Sequence, residues 1–127
     1  MKPLLSVFIG GAILALSACS QVPSSKPLLP YPFQALGNEP GWSIVLNANL
    51  EANVVLDTGA IQFPAVFNLD DVVDGTVKLS STYQNQPLNL SIAPGTCNDT
   101  MSDTVYDYQT VLEVQGQRFQ GCGRPAL

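Results

Sequence analysis

In 127 residues the chain holds five basic and ten acidic residues, for a formal charge of −5, and no histidine. The acidic balance makes nucleic acid and anionic lipid headgroups poor partners and a basic protein a better one. Without imidazole there is no Ser-His-Asp or Cys-His machinery and no histidine metal site, and the length admits one small folded domain.

The N-terminus reads as an export signal. Lys2 supplies a positive n-region, and the apolar run from Leu4 to Leu16 has the length of a signal h-region. That run is short of the roughly 20 residues needed to span a bilayer. Leu16-Ser17-Ala18-Cys19 fits the bacterial lipobox, in which small residues admit a peptidase and the thiol takes diacylglycerol. Cleavage before Cys19 frees an amino group for a further acyl chain, and two or three chains anchor a protein firmly where one does not. Residues 1–18 are thus expected to be lost, leaving four basic residues against ten acidic ones, a formal charge of −6. No cofactor is expected beyond this covalent lipid. Ser20, rather than Asp, after the lipidated cysteine favours the outer membrane, with the domain facing the periplasm. The inner membrane remains the alternative.

Residues 19–32 form the next unit. The stretch from Ser20 to Pro32 carries four prolines and three serines and reads as an extended tether. Its boundary with the domain at 33–127 is soft, because Leu28, Leu29 and Tyr31 are able to pack at its distal end.

From Phe33 onward the apolar residues recur with period two. Trp42, Ile44 and Leu46 form one such series, and Ile61, Phe63, Ala65 and Phe67 another. Val77 and Leu79, then Leu88, Leu90 and Ile92, then Tyr108, Thr110, Leu112 and Val114 complete the pattern. Alternation of this kind sends one set of side chains to a core and the other to water. Asp57-Thr58-Gly59, Asp74-Gly75, Pro94-Gly95 and Gln115-Gly116 lie between the runs, with glycine available for positive φ. Pro64 marks an edge strand or a bulge. No window makes an amphipathic helix, and Leu69 to Val73 is expected to form at most one turn. The sum is an all-β domain, a small antiparallel barrel or sandwich of seven or eight strands.

Of Cys19, Cys97 and Cys122, the first is consumed by lipid, which leaves one pair in an oxidising compartment. The expected outcome is a Cys97–Cys122 disulfide, contributing about 3–4 kcal/mol through loop closure. A free thiol pair or a two-cysteine metal site is the alternative, and the lack of histidine leaves such a metal site incomplete.

The remaining chemistry argues against an enzyme. Lys78 lies on the polar face of an alternating run, where a solvated lysine is the ordinary reading. A carboxylate pair for glycoside hydrolysis needs a cleft that a small β domain has little volume to form. Asp70, Asp71 and Asp74 lack calcium-loop spacing and read as a solvated turn.

Two segments are more distinctive. Gly37-Asn38-Glu39-Pro40-Gly41-Trp42 sets a carboxylate just before the only tryptophan of the chain. The second segment runs from Cys97 through Asn98, Asp99, Met101, Ser102, Asp103 and Tyr106 to Gly121-Cys122. Together they resemble a family of small Gram-negative envelope lipoproteins with a Gly-(Asn/Thr)-Glu-Pro-Phe-Trp motif and a C-terminal Cys-x-Asp-x-Met-Ser…Gly-Cys motif. The resemblance covers most of residues 33–124, with Gly41 in place of the aromatic and Gln120 in place of an apolar residue. It implies no catalytic activity and a distant likeness to the lipoprotein barrels that inhibit lysozyme, whose own signature motif is not found here.

Two readings of these motif residues follow. In one, Glu39, Trp42, Asn98, Asp99, Met101, Ser102, Asp103 and Tyr106 form a shallow binding surface at one barrel end. In the other, they are structural: Trp42 plugs the core, Glu39 accepts backbone bonds or meets Arg124, Tyr106 closes the barrel end, and Asp99 and Ser102 cap the turn. The expected function is a non-enzymatic, membrane-anchored binding or envelope-maintenance module. Inhibition of a basic lysozyme is one alternative, and carriage of a small ligand or metal is another.

Overall fold

The structure is a computed structural model that describes residues 27–38, 41–99 and 103–126. The signal segment, Cys19, Glu39, Met101 and Ser102 lie outside the described residues. Nine antiparallel strands make one curled sheet: β1 (Phe33–Asn38), β2 (Gly41–Leu46), β3 (Glu51–Leu56), β4 (Ile61–Val66), β5 (Asn68–Val73), β6 (Thr76–Tyr83), β7 (Gln86–Asn98), β8 (Val105–Val114) and β9 (Gln117–Pro125). The all-β expectation holds, with nine strands where seven or eight were expected.

Their spatial order is β4-β3-β2-β1-β9-β8-β7-β6-β5. Each strand lies beside its sequence neighbours except β4 and β5, and β1 pairs with β9 to join the two ends of the folded chain. The only break in this circle falls between β4 and β5, which are linked by the single residue Phe67.

The period-two runs bury the residues that the pattern selects. Phe33 and Ala35 face inward from β1, Trp42, Ile44 and Leu46 from β2, and Val54 from β3. Leu79, Leu88, Leu90, Ile92 and Leu112 meet them from the other half of the sheet. Burying an aliphatic or aromatic side chain of this size contributes about 1.5–3 kcal/mol, so this inner face is the main source of stability. Thr110 is the polar residue buried among them, and its hydroxyl donates to the Cys122 carbonyl at 3.1 Å. Leu29 is buried in the same core and Tyr31 packs against it, where burial raises the pKa of its hydroxyl. The folded body thus takes in the distal end of the Pro/Ser-rich stretch, and the Ala126 N–H donates to the Pro32 carbonyl at 2.7 Å.

The seam beside Phe67 closes through side chains rather than a strand ladder. The ring of Phe63 on β4 stacks on Tyr83 of β6, with centroids 4.1 Å apart and planes inclined by 14°. The Ser81 hydroxyl donates to the Val66 carbonyl at 2.8 Å. β6 can serve both sides because β5 pairs with it only as far as Ser80. Beyond that point, Ser81 and Tyr83 face β4.

Two local expectations are corrected. Leu69 to Val73 is not a helical turn but part of β5, a strand exposed at every position. With neither face buried it shows no alternation, and its pairing with β6 decides its conformation. Pro94-Gly95 is not a hairpin turn. It lies inside the long β7, where the register against β8 shifts between Pro94 and Cys97. By contrast, Pro64 does fall on an edge strand, where its missing N–H costs no ladder bond.

Candidate functional site

The outward phase of the central strands places Leu36 and Asn38 of β1, Gln109 and Val111 of β8, and Arg118, Gln120 and Cys122 of β9 on the convex face. The distal part of the β7–β8 hairpin, past the bulge, folds over this face. Three links fix it there. The Cys97–Cys122 disulfide, with Cα atoms 5.6 Å apart, reaches from β7 across β8 to β9. The Asn38 amide donates to the Asp99 carboxylate, which brings β7 as far as β1. The Arg124 guanidinium lies over the Tyr106 ring, 5.5 Å from its centroid, and also donates to Gln34 at 3.2 Å.

Between the folded-over hairpin and the sheet lies a cleft of about 590 Å³. Its walls carry Asn38, Asp99, Tyr106, Gln109, Arg118 and Gln120, with the disulfide among them. Asp99 is held from two sides, by Asn38 and by the Tyr106 hydroxyl, which donates at 3.4 Å. Gln109 spends its amide on the Thr96 carbonyl at 2.9 Å, bracing the bulge. The backbone is also tied where the β7–β8 loop begins and ends, with the Asp99 N–H donating to the Thr104 carbonyl at 3.1 Å. A carboxylate, a guanidinium and several amides set on rigid strands can hydrogen-bond a polar ligand in a fixed orientation. Both cysteines are oxidised, so the cleft offers no thiol nucleophile.

The motif residues divide. Asn98, Asp99 and Tyr106 line the cleft, and Asp103 is exposed in the segment entering β8. Trp42 does not join them. It belongs to the inner face of the sheet, where Gly37 and Gly121 leave room for its indole. Tyr106 lies under Arg124 on the convex face and so does not plug a barrel end. Among the described residues Arg124 meets Tyr106 and Gln34, and its expected partner Glu39 lies outside them. Gln109 and Arg118 carried no motif signal, while Asn38 belongs to the first motif and Gln120 departs from the last, and none of the four was singled out as a site residue. Their outward phase on strands next to Cys122 was the clue available, and it needed the sheet order to be read.

A second cavity, of about 420 Å³, opens at the end of the barrel beside the β6–β7 and β8–β9 turns. Trp42, Leu56, Ile61, Tyr83, Val114 and Phe119 give it an apolar lining, and Asp57 is its one charged lining residue among those described. Gln115 donates to Gln84 at 3.0 Å and ties the two turns together at its rim. The Trp42 Nε1 is buried with no hydrogen-bond partner among the described residues.

No group of three His, Cys, Asp or Glu side chains suited to a metal occurs among the described residues. Nor is any helix among them long and apolar enough to cross a membrane. No protein-family model, curated protein or solved structure matches this chain.

Proposed function

We propose that the protein is a non-enzymatic, lipid-anchored component of a bacterial envelope whose barrel-like domain binds a partner through the polar cleft on its convex face. The observation that carries this reading is the folded-over hairpin. A disulfide, a side-chain bond from Asn38 to Asp99 and an Arg124–Tyr106 contact hold it against the sheet, with a cleft of about 590 Å³ beneath. Three separate links on a segment that adds little to the core are better accounted for by a shaped surface than by stability alone. Export, acylation at Cys19 and an outer-membrane location with the domain in the periplasm rest on the h-region, the lipobox and Ser20.

Photo-crosslinking in intact cells tests the proposal. A crosslinker at Gln109 or Gln120 is expected to give a discrete adduct that disappears in an Arg118→Ala background. A crosslinker at Asn49, in the β2–β3 turn, is expected to give none. Equal labelling from all three positions contradicts the reading.

A basic lysozyme is the second reading for the partner, favoured by the formal charge of −6 that remains without residues 1–18, since acidic surfaces steer cationic partners. Inhibition of several lysozymes by the full-length protein in detergent at micromolar concentration supports it. Undiminished activity of all of them removes it.

A further inference from the structure

The cavity at the end of the barrel is chemically unlike the convex cleft and lies on the other face of the sheet. We infer that it is a binding site for a small organic cation with an apolar body. Trp42, Tyr83 and Phe119 receive the body and Asp57 faces the ammonium group. The volume, about 420 Å³, falls within the ~300–1,000 Å³ usual for small-molecule sites, and the mouth of a β-barrel is a recurrent place for one.

Three features select the ligand class. Aromatic rings and the aliphatic side chains of Leu56, Ile61 and Val114 make most of the wall, which suits an apolar body. Asp57 is the single charged lining residue among the described residues. Arg118, in the opposite phase to its β9 neighbours Gln117 and Phe119, lines the convex cleft instead, so no cation among the described residues lines this cavity. Aromatic faces attract cations through their quadrupole, so rings and carboxylate favour the same charge. Tyr83 is fixed in place by its stack on Phe63. The turns at the rim are fixed by the Gln115–Gln84 bond. The site is therefore preorganised, which limits the ordering cost of binding.

Trp42 is the one tryptophan of the chain and lines this cavity, so its fluorescence responds to a ligand bound there. The full-length protein in detergent is titrated at neutral pH with phenethylamine, 2-phenylethanol and 3-phenylpropionate, which share a ring and differ in charge. Saturable change with the amine is expected, about fivefold or more tighter than with the alcohol and weakest with the acid. In Asp57→Asn, whose side chain tolerates the positive φ at this position, the amine is expected to lose most of its advantage over the alcohol. Gln117→Phe, which adds a ring at an exposed lining position, is expected to abolish the response to all three. No saturable change with the amine overturns the inference. So does equal binding of amine and acid, an amine preference undiminished in Asp57→Asn, or a response that persists in Gln117→Phe.

Discussion

Trp42 and Gly121 fit together across β1: a Cβ at Gly121 would lie 2.7 Å from Cζ2 of the indole, closer than real side chains approach. Gly37, the direct ladder partner of Trp42, is crowded by the other end of the same ring. The largest side chain of the core therefore lies over two positions that must lack side chains. The glycines of both sequence motifs serve the tryptophan of the first. Gly121→Ala and Gly37→Ala are each expected to destabilise the domain by about 1–3 kcal/mol, the usual cost of overpacking. Urea unfolding followed by Trp42 fluorescence measures this, and unchanged midpoints would mean that the indole has room to move.

The disulfide closes a loop of sequence separation 25. Replacing both cysteines by alanine should cost about 3 kcal/mol on the chain-entropy model. The core strands do not depend on this bond for their pairing, so the loss should be uneven. Amide hydrogen exchange is expected to rise most between Cys97 and Tyr106, whose anchor is removed, and least in β2 and β3. A uniform rise would mean that the hairpin is integral to the core.

At the seam, Phe63 and Tyr83 replace a missing strand ladder. Tyr83→Ala is expected to cost about 1–2 kcal/mol, combining the aromatic pair term with lost burial. Ser81→Ala, which removes one hydroxyl bond to Val66, should cost about 1 kcal/mol. A double-mutant cycle between Phe63 and Tyr83 by chemical denaturation checks whether the ring stack closes the barrel. Strict additivity of the two truncations would say that it does not.

β5 ends the sheet with Leu69, Val72 and Val73 exposed and its outer edge unpaired. Such an edge invites pairing with another molecule, and charged side chains are a common protection. Asp70 and Asp71 supply them here. Asp70 accepts from the Ser80 hydroxyl at 2.9 Å, and Asp71 from the Val72 N–H at 2.8 Å. The double substitution Asp70→Asn and Asp71→Asn keeps these acceptors and removes the charge. It is expected to raise self-association in sedimentation velocity at low salt while leaving the urea midpoint of the monomer nearly unchanged.

Strands with one buried face were legible because burial imposes a period of two, as in Trp42-Ile44-Leu46 and Leu88-Leu90-Ile92. β5 was not, because neither of its faces is buried and its residues obey only the ladder with β6. Pro94-Gly95 read as a turn because local chemistry does not distinguish a hairpin from a bulge within a long strand. The cysteine pair was legible by counting, and it located the convex cleft in outline through Asn98, Asp99 and Tyr106. The side of the sheet was not legible. Glu39 and Trp42 are near neighbours in sequence, yet Trp42 faces the core while the cleft faces outward. Gln109, Arg118 and Gln120 became site residues only once the folded-over hairpin was known.

The proposed function requires export, acylation at Cys19 and oxidation of Cys97 and Cys122 outside the cytoplasm. Intact-mass and peptide mass spectrometry of the protein from its native membrane fraction tests this most directly. The predicted result is a chain that begins at Cys19, carries diacylglyceryl and N-acyl groups there, and joins residues 97 and 122 by a disulfide. An unmodified residue 19, a retained Met1, or free thiols at both 97 and 122 would contradict it.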